Sequence, residues 1–233
     1  MTQNELKRNA AEKAAGLVED GMKLGLGTGS TARLVLEAIA QRRARGELVS
    51  IVGVPTSTET RDHATRLGIP LASLDDEPRL DLTLDGADEV DPGLDLIKGL
   101  GGALLWEKVV ASATARLVIV VDETKLVDRL GTKSPLPVEV VPFGWRTALD
   151  VVAGLGAAPR LRNGPDGSPF TTDGGHFILD CQFPNGIADP AAVDMTLLRC
   201  PAVVETGLFL DMADTVVVAG SEGVELRRRS DAR

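Results

Sequence analysis

The 233-residue sequence has little of several features that mark common protein classes. It contains two cysteines, Cys181 and Cys200, which are too few for a disulfide scaffold and lack the spacing of a metal site. Its two histidines and the lack of a G-x-S-x-G motif argue against a Ser-His-Asp triad and a histidine-based metal site. A reducing cytosol is the simplest compartment, so we expect a cytoplasmic protein.

Long apolar runs and positive charge are also scarce. The longest apolar runs, such as residues 117–121, cannot cross a bilayer, and residues 1–16 lack the apolar core of a signal peptide. Lys and Arg number 25 against 34 Asp and Glu, a net charge of −9, which opposes binding to nucleic-acid phosphates and to anionic membranes. With 43% hydrophobic and 25% charged residues, the composition is that of a globular protein without nucleic-acid or membrane partners.

Helix and strand patterns alternate over the first half of the chain. The spacing of apolar residues predicts helices over 4–20, 31–45, 57–67 and 102–114. It predicts strands over 22–26, 48–54, 80–84 and 116–121. This order indicates an α/β fold with a Rossmann-like, mostly parallel sheet, in which ligands bind beyond the carboxyl ends of the strands.

The second half has a different character, since nine of the 13 prolines follow residue 134. Its predicted order is β-α-β-β-α-β, with strands over 136–141, 159–162, 176–182 and 202–205 and helices over 143–155 and from Pro190. A last strand over 215–219 returns to the first sheet. We therefore predict an α/β domain of residues 1–131 plus 207–233, with a smaller inserted α+β ferredoxin-like domain of residues 132–206. The arginines at 227–229 are read as a solvated tail.

A glycine-rich segment, residues 25–31, joins the first predicted strand to a helix. Glycines let the backbone approach a ligand, and the free amides of a helix N-terminus favour an anion. The G-x-G-x-G spacing, without an acidic residue after the next strand, differs from a dinucleotide fingerprint, and no Lys follows as in a P-loop. A monophosphate site is the better functional interpretation; a tight turn with a Ser or Thr cap is the structural one.

Acidic and basic side chains follow the later strands. Asp85 and Asp88 lie at the end of the third strand. They are either a pair of functional carboxylates or parts of a turn and a helix cap. Lys98 heads a second glycine-rich loop and suits a developing oxyanion. Glu107 has apolar neighbours three and four positions away on its predicted helix, so we expect its side chain to face inward. It is either a general base or the partner of a buried cation. Lys125 is a candidate phosphate ligand or a surface charge.

Together these segments resemble the ribose-5-phosphate isomerase family, type A. The resemblance rests on residues 25–31, 85–91, 98–108 and 122–125, with further matches at 53–57, 136–144, 172–181 and 203–209. It spans essentially the whole chain. It implies an aldose–ketose isomerase of the pentose phosphate pathway that interconverts D-ribose 5-phosphate and D-ribulose 5-phosphate through a cis-enediol, without a metal or an organic cofactor.

The resemblance also implies roles for individual residues. Glu107 would move a proton between C1 and C2, Asp85 and Asp88 would assist ring opening and proton transfer between O1 and O2, and Lys98 would stabilise the enediolate. The full set of implied substrate-binding residues is Lys7, Thr28, Gly29, Ser30, Thr31, Asp85, Gly86, Ala87, Asp88, Lys98, Gly99, Leu100, Gly101 and Lys125. Among these, the phosphate would be held by Lys7, Thr28 to Thr31 and Lys125. A homodimer or higher homo-oligomer is expected.

Two positions depart from the family pattern: Leu100 stands where glycine is frequent, and Trp106 stands where an arginine is expected. Trp106 points about 100° away from Glu107 on a helix, so we expect it to alter packing more than chemistry. Two other functions stay open. A non-catalytic sugar-phosphate sensor would need only the anion site, although one helix before the first strand leaves no room for a DNA-binding unit. A transferase or deaminase would use Glu107 as a nucleophile.

Overall fold

The computed structural model describes residues 2–229 and contains two compact units. The first unit comprises Met1–Ala87, Trp106–Leu126 and Met212–Arg233, and the second comprises Asp88–Leu105 and Val127–Asp211. Residues 88–105 therefore group with the second unit, whereas the sequence assigned them to the first domain. The predicted domain boundaries, between residues 131 and 132 and between residues 206 and 207, stay a prediction.

The elements follow one another largely as the sequence predicts. Within the described residues the helices are α1 (Gln3–Ala15), α2 (Ser30–Ala44), α3 (Thr58–Arg66), α4 (Leu104–Ser112), α5 (Thr147–Gly154) and α6 (Pro190–Leu198). The strands are β1 (Lys23–Leu26), β2 (Val52–Pro55), β3 (Leu82–Asp85), β4 (Glu89–Val90), β5 (Leu96–Ile97), β6 (Leu117–Asp122), β7 (Leu136–Val140), β8 (Ala158–Leu161), β9 (Phe177–Gln182), β10 (Val203–Thr206), β11 (Leu208–Phe209), β12 (Thr215–Gly220) and β13 (Gly223–Arg228). A 3-10 turn covers Glu123–Lys125.

The first unit contains a six-stranded sheet in the order β13-β12-β6-β3-β1-β2. All its pairs are parallel except β12 with β13. The pattern of alternating strands and helices therefore predicted the fold class correctly. Because β1, β3 and β6 are parallel neighbours, their carboxyl ends lie at one edge of the sheet. The predicted site residues of this unit lie at or just beyond these ends, except Lys7 on α1 and Glu107 on α4.

The second unit contains an antiparallel sheet in the order β10-β7-β9-β8. With α5 after β7 and α6 after β9, this is the predicted ferredoxin-like arrangement. A further three-stranded sheet, β11-β5-β4, was not predicted. Its strands have two residues each, which is too short for any periodic pattern to show.

Two expectations from the sequence are wrong. Gly223–Arg228 forms the edge strand β13 instead of a solvated tail, because Val224 and Leu226 pack against the core of the first unit. Arg229, the last described residue, continues this segment with its amide bonded to the Asp214 carbonyl. The second concerns His63, which the polar sequence of its helix predicts to be at the surface. His63 is instead buried, since Thr60, His63 and Ala64 form the inward face of α3. Among residues 2–229, no helix is long and apolar enough to cross a membrane.

Candidate active site

Close packing of β1 against β3 requires glycine in the first glycine loop, which we define as residues 25–31. A Cβ atom on Gly25 would lie 2.0 Å from Thr83 Oγ1, and one on Gly27 would lie 2.2 Å from Asp85 Oδ1 and 2.6 Å from its Cα. Gly29 has φ +104°, a left-handed conformation that glycine adopts without strain. The loop therefore turns sharply from β1 into α2.

The N-terminus of α2 offers backbone amides to an anion. The residue before it is Gly29, so no side chain caps the helix at that position. Lys7, on α1, places Nζ 3.2 Å from Ser30 Oγ. A cation and a hydroxyl thus lie beside the positive end of the helix dipole, the arrangement that favours a phosphate. Thr31 lies half-buried in the same first turn.

Lys125 belongs to the 3-10 turn that follows β6, at the same edge of the sheet. The turn begins with Asp122, whose Oδ1 accepts a hydrogen bond of 3.0 Å from the Thr124 amide. Lys125 itself is half-buried. The structure therefore places it beyond the carboxyl end of a central strand, and its contact with phosphate stays a prediction.

Thr28 lies at the centre of a hydroxyl cluster that the sequence analysis did not single out. Its Oγ1 lies 2.7 Å from that of Thr56, 2.8 Å from Ser57 Oγ and 3.1 Å from Thr60 Oγ1. Thr60 Oγ1 also donates to the Gly27 carbonyl, at 2.9 Å. This cluster ties the first glycine loop to the end of β2 and the start of α3. The signal available in the sequence was the Thr-Ser pair directly after the β2 strand.

Asp85 is the carboxylate that closes the first glycine loop. It is 1% exposed at the end of β3, and its Oδ1 accepts hydrogen bonds from the amides of Thr28, at 3.1 Å, and Gly86, at 2.7 Å. Gly86 and Ala87 are half-buried. The structure thus brings Asp85 directly to the loop that was predicted to bind phosphate.

Glu107 faces inward on α4, as its apolar neighbours indicated. It is 5% exposed, and Val110 and Ala111, three and four positions on, are buried as well. Burying a carboxylate costs free energy unless neighbouring groups compensate its charge, and a buried carboxylate is therefore often a functional one. Trp106, the departure from the family pattern, is 37% exposed and so turns away from this face, as expected.

The remaining predicted residues belong to the second unit, and all of them except Asp88 lie in the second glycine loop, which we define as residues 98–102. Lys98 follows β5 and is 3% exposed, with its Nζ 5.4 Å from the centre of the Phe209 ring. Gly99 and Gly102 have φ values of +103° and +84°. Leu100 and Gly101 are exposed at the tip. The loop is a tight turn that buries the lysine at its start.

Asp88 contacts this second loop directly. Its amide donates to the Ile97 carbonyl at 2.8 Å, and its Oδ2 accepts from the Leu100 amide at 2.9 Å. The short ribbon of β4 and β5 therefore brings Asp88 and Lys98 onto neighbouring strand ends. The predicted residues thus form two groups: Lys7, residues 28–31, residues 85–87, Glu107 and Lys125 in the first unit, and Asp88 with residues 98–101 in the second.

Glu89 is a buried residue of the second unit that the sequence analysis missed. It is 0% exposed, and its carboxylate accepts hydrogen bonds from the amides of Gly131, at 2.6 Å, Lys133, at 2.6 Å, and Ser134. These bonds hold β4 to the segment that leads into β7. The sequence analysis missed Glu89 because helix and strand periodicity cannot predict hydrogen bonds to backbone amides 42 to 45 residues away.

Fold and geometry together define an α/β protein with uncapped backbone amides at the N-terminus of α2 and with two buried carboxylates, Asp85 at a strand end and Glu107 on a helix. Residues 52–223 match the family model for ribose 5-phosphate isomerase A (phosphoriboisomerase A). The chain is 54% identical over 218 residues to ribose-5-phosphate isomerase A of Roseiflexus castenholzii, which covers 94% of this chain and 93% of the relative. It is 47% identical to a probable ribose-5-phosphate isomerase 2 of Arabidopsis thaliana, over 98% of this chain and 88% of the relative.

Solved structures agree with the sequence comparisons. A D-ribose-5-phosphate isomerase in complex with phospho-erythronic acid has a TM-score of 0.95 and 42% identity, covering 98% of this chain and 100% of that one. Ribose 5-phosphate isomerase A from Methanocaldococcus jannaschii has a TM-score of 0.92 and 40% identity, covering 97% and 100%. The chain belongs to the ribose 5-phosphate isomerase A family.

Proposed function

We propose that this chain interconverts D-ribose 5-phosphate and D-ribulose 5-phosphate, a step of the pentose phosphate pathway. The observation that carries this proposal is the family likeness, which at 54% identity extends over 94% of the chain. The geometry supports it, because aldose–ketose isomerisation needs a base, a stabiliser for an oxyanion and a hold on the phosphate. The candidate base is Glu107 on α4, the candidate for the oxyanion is Lys98 after β5, and the candidates for the phosphate include the start of α2.

The chemical steps follow from the proposed roles. Glu107 removes the proton from C2 of the open-chain aldose, and the electrons of that C–H bond form the C1–C2 double bond of a cis-enediol. The carbonyl oxygen O1 gains a proton as O2 loses one, a transfer that Asp85 and Asp88 assist, as they also assist ring opening. Lys98 stabilises the negative charge on oxygen meanwhile. Glu107 then returns its proton to C1, which gives the ketose.

The phosphate is proposed to bind at the N-terminus of α2. The Lys7 ammonium, 3.2 Å from the Ser30 hydroxyl, supports this placement, as do the uncapped first turn and the exposed Gly29. Thr31 and Lys125 complete the proposed phosphate ligands. For Thr28, whose hydroxyl and amide already contact the hydroxyl cluster and Asp85, we propose that contact with the phosphate is added to these bonds.

The test is conversion of ribose 5-phosphate in the presence of a chelator, comparing the intact chain with Glu107→Gln. We expect the substitution to lower kcat by about 10²–10⁴-fold, the usual contribution of a positioned general base. Glu59→Gln is the matched control, because the Glu59 side chain is 64% exposed on α3 of the same unit. Equal activity of the Glu107 variant and the intact chain would remove Glu107 from the mechanism.

The two other functions have their own readouts. A sensor would bind ribose 5-phosphate without converting it, and a transferase or deaminase would form a covalent adduct on Glu107 that mass spectrometry detects. Exchange of the C2 hydrogen with solvent would support the enediol route. Phospho-erythronic acid, the ligand in the related solved structure, is a suitable competitor because its carboxylate has the charge of an enediolate.

We also propose a cytosolic homodimer or higher homo-oligomer without nucleic-acid or membrane partners. The net charge of −9 supports the absence of polyanionic partners. Phe143, in the second unit, is 94% exposed, and the proposal places it in the subunit contact. Sedimentation velocity of the intact chain and of Phe143→Ser tests this; a monomer in both would overturn it.

A further inference from the structure

The second glycine loop is held from outside by one arginine that the family resemblance did not single out. Arg162 follows β8, and its Nη1 donates to the carbonyl oxygens of Gly99 and Leu100, each at 3.0 Å. One side chain thereby donates to two carbonyl oxygens of the loop, of which that of Gly99 also accepts from the Gly102 amide. The guanidinium suits this task because its donors are fixed in a plane and it stays charged at every working pH.

Arg162 is itself held in one orientation. Its Nε donates to Asp180 Oδ2 at 2.9 Å, and its Nη2 donates to Asp180 Oδ1, a bidentate pair on the neighbouring strand β9. The Phe170 ring lies against it, with its centre 5.8 Å from the guanidinium carbon. The Arg162 side chain is 13% exposed, so these contacts are shielded from solvent more than those of a surface pair.

The peptide group between Gly99 and Leu100 connects this arginine to Asp88. Its carbonyl oxygen accepts from Arg162 Nη1, and its N–H donates to Asp88 Oδ2 at 2.9 Å. Hydrogen bonds that share one peptide group polarise each other, so the arginine strengthens the bond that holds the carboxylate. An unbroken chain of hydrogen bonds thus runs from Asp180 through Arg162 and the Gly99–Leu100 peptide to Asp88.

We propose that Arg162, braced by Asp180, is a positioning residue that sets the Asp88 carboxylate for isomerisation by way of the Gly99–Leu100 peptide. It touches no substrate in this proposal and acts only through the loop. The backbone bonds of the loop are few, from the Gly102 amide to the Gly99 carbonyl and from the Lys98 amide to the Gly207 carbonyl, each at 2.9 Å. The strand before the loop, β5, has only two residues. The effect on turnover rests on the proposed function, whereas the effect on the loop does not.

The first experiment measures the loop directly, by hydrogen exchange at the Leu100 amide. We expect slow exchange in the intact chain and faster exchange in Arg162→Gln. The matched control is Arg146→Gln, since Arg146 belongs to the same unit and also lies over an aromatic ring, with its guanidinium carbon 5.4 Å from the centre of Trp145, but is exposed. Equal exchange in all three proteins would overturn the proposal whatever the protein catalyses.

The second experiment separates positioning from general loss of structure. We expect Arg162→Gln to lower kcat by up to about 10²-fold, the cost of a small misplacement of catalytic groups, with inorganic phosphate inhibiting as in the intact chain. In an Asp88→Asn background the same substitution should change kcat by less than about twofold, because the group through which it acts is gone. An unchanged effect in that background would show that Arg162 acts independently of Asp88 and would overturn the proposal.

Two further variants guard against a folding failure of Arg162→Gln. Arg162→Lys keeps the charge but lacks the planar fork, and Asp180→Asn keeps the arginine but weakens its brace. Both should give intermediate losses of kcat and intermediate exchange at Leu100. Full activity in both variants would overturn the proposal. Absence of ribose 5-phosphate conversion by the intact chain would contradict the proposed function alone, since the exchange experiment would still decide the role of Arg162.

Discussion

Both glycine loops are tight turns, but different contacts hold them in place. The first follows β1, a strand hydrogen-bonded on both sides, and its glycines are required by contact with Thr83 and Asp85. The second follows the two-residue strand β5 and depends on positive φ values and on the Arg162 side chain. A loop on a wide sheet is thus shaped by its neighbours' backbones, whereas a loop on a short ribbon needs a distant side chain to hold it.

The largest expected difference between the two regions concerns thiol reactivity. Both cysteines, Cys181 and Cys200, are buried in the second unit, and the first unit has none. Burial, with a smaller effect from the neighbouring Asp180, raises the pKa of Cys181 from 9.0 to about 12. Three pKa units correspond to about 10³-fold less thiolate, so we expect Cys181 of the native chain to react at least that much more slowly than an unfolded thiol.

Labelling with a thiol reagent near pH 8, followed by mass spectrometry of the peptides, measures this rate. Because only the second unit carries thiols, the rate reports opening of that unit and not of the first. Fast labelling of Cys181 under native conditions would mean that β9, which also carries Asp180, opens readily. The second loop would then lack a rigid brace, and the contrast between the two loops would be one of mobility as well.

The next largest expected difference is between the effects of alanine substitutions in the two loops on the free energy of unfolding. Gly27→Ala places a Cβ 2.6 Å from the Asp85 Cα, a backbone atom that cannot move aside cheaply. We expect a loss of about 1–3 kcal/mol in the free energy of unfolding, together with displacement of Asp85. Gly101→Ala meets no atom within 4 Å, so we expect a change within about 0.5 kcal/mol. Chemical denaturation of both variants measures the difference, and equal stability would contradict it.

The smallest expected effects concern two exposed carboxylates, one in each unit. Hydrogen bonds from the amides of Ser50 and, to a smaller extent, Val49 lower the pKa of Asp20 below its ordinary 3.8. Hydrogen bonds from the Ser168 hydroxyl and amide do the same for Asp166. A lowered pKa in the folded state means that each carboxylate stabilises the fold above its ordinary pKa and loses this contribution as the pH falls through its folded value.

Asp20→Asn and Asp166→Asn should therefore each flatten the fall in stability between about pH 5 and pH 3. Thermal unfolding across that range measures the slope. If the two units unfold in separate transitions, each substitution should shift only the transition of its own unit. A steeper acid fall in either variant would contradict the assigned hydrogen bonds.

Much of the fold follows from the sequence because its long elements bury regular patterns. The run over 117–121 gives β6, and the β-α-β-β-α-β order gives the antiparallel sheet of the second unit. Elements without such a pattern escaped prediction: the two-residue strands β4, β5 and β11, and the edge strand β13, whose arginines suggested a tail. The inward face of Glu107 could be predicted because helical periodicity alone places it.

The sequence by itself determined which chemical groups are present and on which elements they lie: the first glycine loop, Asp85 and Lys98 at strand ends, and Glu107 on the inward face of a helix. Residue type and local periodicity suffice for that. Only the tertiary structure decided what holds these groups. Asp85 against Thr28 is a contact across 57 residues, and Arg162 against Gly99 one across 63, and no local pattern encodes partners so distant. Such contacts form only where the sheet topology brings remote segments together.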